Sequence, residues 1–274
     1  MIDKGNFGYE ILTQTKLALQ TCSYLDPICP FIAYENIYSK DESKDFITFL
    51  KDKGDIYVQT LLNSFIDNLN TNNIDGIGLI AMELAEGFAP LYSFQDDPNF
   101  ELYKNMARFQ LLQLAEIAGY TQGDFHMENL LVNPDYSQST IPSYFEGTNA
   151  YVMLIDFGLA NKIPPKDVLS IKQYVNSKNY IGALNVLLNV PRFDNSPPRS
   201  QGDSYKWIVP DNDAASVNTS LSELYEGRQR QIQNIITYSK SIQQTPDNVF
   251  PILPVNCKKY IDYLPKKYYF SKDI

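Results

Sequence analysis

Apolar residues recur at helical spacing over residues 9–21, where Ile11, Leu12, Thr15, Ala18 and Leu19 share a face. Asp26-Pro27 and Cys29-Pro30 break that helix, and the apolar, β-branched run 30–38 predicts a strand. Residues 39–54 are charged but carry a helical stripe of Phe46, Phe49 and Leu50, and 58–69 repeat it with Leu61, Leu62, Phe65, Ile66 and Leu69. A polar loop over 68–75 leads to a short buried strand at 76–83 and a turn at 85–87. Residues 100–118 form the clearest amphipathic helix, with Leu102, Met106, Phe109, Leu111 or Leu112, Leu114 and Ile117 on one side and Gly119 as its C-cap. Two short strands follow at 129–132 and 151–155, separated by a turn-rich loop. Helices are predicted at 168–175, 180–188 and 220–242, a loop at 191–212, and an irregular strap of Pro, Lys and Tyr over 250–270. No internal repeat is visible, and the order of elements reads as α+β.

The 274 residues suffice for one large domain or two small lobes. Lys and Arg number 23 against 32 Asp and Glu, a net charge of −9, which argues against a duplex-DNA or anionic-membrane binder. Lys258-Lys259 and Lys266-Lys267, set among tyrosines, read as a solvated strap rather than a nucleic-acid site. Three cysteines without a CxxC pair and a single histidine make a Cys/His zinc site improbable. The polar N-terminus has no apolar signal core, and no run approaches a membrane span, so a cytoplasmic protein with neither membrane nor nucleic-acid partner is expected. Abundant Asn, Ile, Lys and Tyr fit an AT-rich genome, such as that of a large DNA virus, a protist or an intracellular bacterium.

Two segments carry the chemistry. In 122–129 an Asp, at a helix exit, lies five residues before an Asn, and an apolar strand follows; in 154–158 a second apolar run ends in Asp-Phe-Gly. Phosphoryl transfer needs this set: one carboxylate to accept the proton of the attacking hydroxyl, and an amide oxygen with a second carboxylate to hold magnesium against ATP phosphates.

On these residues the chain resembles the protein-kinase-like superfamily. The catalytic loop corresponds to Gln122-Gly123-Asp124 with Asn129, and the metal-binding tripeptide to Asp156-Phe157-Gly158. The resemblance implies Asp124 as catalytic base, Asn129 and Asp156 as Mg2+ ligands, and Phe157 packed beneath the helix bearing the ion-pair Glu, here Glu10. It extends upstream, where 79–87 resembles the adenine-binding strand and hinge. Met82 would lie at the back of the pocket, the Glu83 carbonyl and the Ala85 N–H would bond adenine, and Leu131 would form the floor. The implied fold is a two-lobe α+β kinase-like one. Residues 1–86 would be a partial N-lobe with a helical insert at 39–75, and residues 87–274 a mainly helical C-lobe.

The pattern departs from the family in three places. Gln122 stands where the catalytic loop has His. His126 stands where protein kinases have Lys, an order closer to aminoglycoside and choline phosphotransferases, in which that His sits beside the catalytic Asp and can orient it. Asp-Phe-Gly-Leu-Ala is more typical of protein kinases, while no Ala-Pro-Glu or activation segment is evident, so the hydroxyl substrate can be a protein serine/threonine or a small molecule. Finally, nine residues ahead of Glu10 cannot hold the three strands of a glycine-rich loop and its phosphate-gripping lysine. One arrangement would use Gly5 to Gly8 as the loop and Lys16 as the lysine. The other is a chain that lacks those strands, either as a truncated reading frame or as a degenerate kinase acting as a binding module.

Overall fold

The computed structural model describes residues 9–11, 13–18, 28–30, 32–51, 56–71, 76–82, 84–136, 149–191, 205–210 and 212–241. They form a mixed α+β structure. Leu12, Leu19, Glu83, the center of the 133–149 loop, most of the 191–212 loop and the strap at 250–270 lie outside the described residues.

The first helix, α1, spans 9–11 and 13–18. Ile11, Leu17 and Ala18 are buried on it, and Gln14 donates its side-chain amide to the Pro30 carbonyl at 2.9 Å. Strand β1 (Ile32–Ser39) pairs antiparallel with β2 (Gly76–Met82), from Ile32 opposite Met82 to Ser39 opposite Gly76. Between them run α2 (Lys40–Lys51) and α3 (Ile56–Asn70), packed on one another. Helix α2 starts at a Ser-x-x-Glu box in which the Ser39 N–H and Oγ both donate to Glu42, at 2.9 and 2.6 Å. Those two bonds hold the Glu42 carboxyl below the ordinary carboxylate range.

The apolar stripes expected on these two helices are only partly used. Ile47 and Ser43 form the buried row of α2, and Phe46 stacks on Tyr38 at 5.1 Å, while Phe49 is exposed. On α3 Leu69 is fully buried and Phe65 is exposed. A two-helix excursion on a two-stranded sheet has only one face to bury, so Phe49 and Phe65 stay in water while Leu50, Leu62 and Ile66 are half-buried.

The main core is built mostly from residues C-terminal to this hairpin, joined from upstream by Leu17, Ala18, Ile28 and Cys29. Strand β3 (Ala89–Pro90) adds to a sheet with β5 (Leu130–Asn133) and β6 (Tyr151–Leu154), in the order β3-β5-β6. Helix α4 (Phe100–Ala118) packs against β6, α5 (Pro165–Asn176), α6 (Tyr180–Leu188) and α7 (Ala214–Ser241). It is buried on every side from Tyr103 to Ala115 apart from Lys104, not along one stripe, because neighbors surround it. Two of its buried polar residues find acceptors away from the helix: Gln110 donates to the Val152 carbonyl at 2.9 Å, and Arg108 to the Ile208 carbonyl at 3.0 Å. Gly119 caps it at φ 67°, in the left-handed region, with its N–H on the Ala115 carbonyl. Helix α7 starts at Ala214, ahead of the expected Ser220, and packs Val217, Leu221, Leu224 and Tyr225 into the core. No described helix is long and apolar enough to cross a membrane.

Candidate functional site

Strand β4 (Tyr120–Thr121) leaves α4 through its glycine cap and pairs antiparallel with β7 (Asn161–Lys162). This pairing lays residues 122–126 alongside 155–160. Gln122, fully buried, joins the two: its amide donates to the Ile155 carbonyl at 2.9 Å and the Asp156 carbonyl at 2.7 Å. Its Oε1 accepts from the Asp124 N–H at 2.8 Å. Gly123 is required where the segments touch. Its φ is +82°, and a Cβ there would overlap the Leu159 carbonyl oxygen.

The loop then closes on itself. The His126 N–H donates to the Asp124 carbonyl at 2.9 Å, and the Asn129 N–H to the His126 carbonyl at 3.0 Å. The Asn129 side-chain N–H donates to the Asp124 carbonyl at 3.1 Å. The Ile155 N–H donates to the Asn129 carbonyl at 3.0 Å, so Asn129 abuts the start of the Asp-Phe-Gly turn. Asp156 is exposed and sits at φ 58°, a left-handed conformation that an Asp tolerates better than most residues. Its Oδ1 accepts from the Gly158 N–H at 3.3 Å. Phe157 is fully buried in the core.

Glu10 joins this group from α1. A Cβ on Gly158 would lie 3.3 Å from Asp156 Oδ1 and 3.6 Å from Glu10 Oε2, so the two carboxylates flank the same glycine. Burial, and then the neighboring Asp156, raise the Glu10 carboxyl above its ordinary value. The tether that brings α1 here is the Tyr9 hydroxyl, which donates to the Ala160 carbonyl at 3.1 Å. Lys16 lies on the helix and holds its ammonium 5.2 Å from the Tyr120 ring center. It is not on a strand, which removes the arrangement that makes it the phosphate-gripping lysine.

Among the residues assigned to adenine, Met82 ends β2 and is 42% exposed, so no described neighbor encloses it. Ala85 is half-buried against the core in a turn completed by Gly87 at φ 77°. Leu131, also half-buried, lies opposite Pro90 and Met153 in the three-stranded sheet. The structure therefore gathers Asp124, His126, Asn129, Asp156 and Glu10 into one site, with Leu131 just beyond Asn129 on β5.

Three residues with no motif complete the site. Tyr205 donates its hydroxyl to Asp124 Oδ1 at 2.9 Å and lies 3.1 Å from His126 Nε2. Trp207 donates its indole N–H to the Phe125 carbonyl at 3.1 Å. Arg108, 1% exposed on α4, reaches the Trp207 and Ile208 carbonyls and the Asn105 side chain. Burial pulls its guanidinium down to about 10. The only sequence signal was an arginine inside an apolar helical repeat.

The donor chemistry fits magnesium in part. The Asp156 carboxylate and the Asn129 amide oxygen are hard ligands, and the Asn129 nitrogen is already committed to Asp124. Among the described residues no three His, Cys, Asp or Glu side chains group into a metal site, so a cation here would need oxygens from its ligand as well. A scan against protein-family models finds no match, and a search of curated proteins finds no similar protein.

Proposed function

We propose that the chain is a kinase-like phosphotransferase that moves the γ-phosphate of ATP to a hydroxyl, using Mg2+ and the two-lobe plan of that superfamily. The observation that carries this reading is Gln122. One buried amide holds both the Asp124 N–H and the Asp156 carbonyl, fixing a proton-accepting carboxylate relative to a metal-binding one. Phosphoryl transfer depends on such positioning and on neutralizing charge, with little covalent work for the protein. Asp124 orients the acceptor hydroxyl and takes its proton. Asn129 and Asp156 hold magnesium, which when bound screens the phosphate charge. Leu131 supplies an apolar floor for the base, with Met82 at the back of the pocket and the Ala85 N–H on the hinge edge. The substrate is a protein serine/threonine or a small-molecule alcohol.

The test is phosphate transfer from labeled Mg-ATP to protein and aminoalcohol acceptors. Asp124→Asn is expected to lose 10²–10⁴-fold, roughly what a general base supplies. Equal rates in the two proteins would overturn the assignment.

Glu10 favors a second reading, a catalytically impaired relative that works as a binding module. Its carboxylate is half-buried beside Asp156, and no described cation pairs with it. A nucleotide bound at 100 times its Kd stabilizes a protein by ~2.7 kcal/mol. An unchanged melting curve in Mg-ATP would favor the binding module; an upward shift favors the enzyme.

A further inference from the structure

We propose that the Tyr205 hydroxyl is a positioning group that locks Asp124 and His126 into one hydrogen-bonded unit, with His126 held as the Nε2–H tautomer. The functional part of this inference rests on the phosphotransferase reading; the tautomer does not.

A hydroxyl has one proton to give, while a carboxylate offers only lone pairs. At 2.9 Å from Asp124 Oδ1 the Tyr205 proton points to the carboxylate. The 3.1 Å contact with His126 Nε2 must then be made in the other sense, with the ring nitrogen donating to the phenol oxygen. The direct separation between Nε2 and Oδ1 is 3.4 Å, longer than a good hydrogen bond, so the phenol oxygen is the bridge. The chain thus runs from imidazole N–H to phenol to carboxylate, and it fixes both the ring and the carboxylate rotamer.

Tyr205 could instead be a gate that occupies the place of an acceptor hydroxyl and swings away. Its surroundings decide against that. Tyr205 is 5% exposed and packs edge-on to Phe125, with ring centers 6.2 Å apart. Two residues on, Trp207 is bonded to the Phe125 carbonyl, and Arg108 grips both following carbonyls. Releasing the segment would strip a buried guanidinium of its two carbonyl acceptors and leave it only Asn105, a costly loss in a core. Tyr205 is a fixed part of the site.

His126 is the one histidine in the chain, so its ring nitrogens give unambiguous signals in a long-range ¹H–¹⁵N spectrum. In the wild-type protein, at a pH where imidazole is neutral, the spectrum is expected to show Nε2 protonated and Nδ1 bare. In Tyr205→Phe, which keeps the packed ring, the signals should move toward the average of the two tautomers. Turnover of that variant should fall roughly tenfold to a hundredfold at constant KM for ATP, the scale of a misplaced catalytic group. A wild-type Nδ1–H tautomer overturns the inference without needing any variant. Faster turnover in Tyr205→Phe would also overturn it, in favor of a gate. A wild-type protein with no phosphate transfer but the Nε2–H spectrum would sink the phosphotransferase reading and leave the hydrogen-bonded unit standing.

Discussion

The side-chain amide of Gln122 donates to the backbone carbonyl of Asp156 at 2.7 Å, across 34 residues of chain. The site's two halves, one on each side of β5 and β6, depend on that contact. Gln122→Leu keeps the volume but strands the Ile155 and Asp156 carbonyls and the Asp124 N–H. It is expected to cost about 2–3 kcal/mol, read as a lower urea midpoint at unchanged m-value.

Gly123 and Gly158 predict opposite tolerances. Alanine at 123 meets both a positive φ and the Leu159 carbonyl, and should cost about 2–3 kcal/mol. Alanine at 158 meets its nearest atom at 3.3 Å, an Asp156 carboxylate oxygen, and should cost less than half as much. Thermal melts of the two variants compare them directly, and equal losses would contradict the close approach.

Glu116 gives a dependence on pH. Burial raises its carboxyl above the ordinary 4.5, although the Tyr225 hydroxyl and the nearby Arg228 and Lys172 pull it back in part. The folded state therefore binds this proton more tightly than the unfolded one. That contribution to stability is complete below 4.5 and is lost as the pH rises through the raised folded value. Glu116→Gln, which still accepts from Tyr225, removes the loss. The stability of the variant minus that of wild type should rise from pH 4 to pH 7, and a flat difference would refute the shift.

Arg108 holds the 205–208 segment from beneath. Arg108→Met keeps the packed stem but leaves the Trp207 and Ile208 carbonyls unpaired in the core. A loss of about 3 kcal/mol is expected by denaturant unfolding. The His126 signals should shift as in Tyr205→Phe, since the phenol loses its anchor.

Most elements could be read from local pattern. Helix α4, the β1 and β2 runs and the Asp-Phe-Gly turn each announce themselves within a few consecutive residues. The buried faces were harder. The polar positions of α4 look like a solvent face, yet Asn105, Arg108, Gln110 and Gln113 are all buried. Arg108 and Gln110 find their acceptors on distant strands and loops. Tyr205 meets Asp124 across 81 residues, from a stretch that reads as plain loop. Periodicity reports which residues share a face, but not which remote carbonyl will arrive to satisfy them.

The excursion through α2 and α3 leaves and re-enters the hairpin at a single rung, Ser39 opposite Gly76. Ser43 ties the joint, its hydroxyl bonded to the Ser39 carbonyl at 2.6 Å and receiving the Ile77 N–H at 3.1 Å. Two chain ends already one ladder step apart can be bridged by a tight turn as readily as by a helical pair. Residues 40–75 are therefore an exchangeable cassette. A two-residue Asn-Gly turn, or an unrelated helical hairpin, could be spliced in their place without altering the register of β1 on β2.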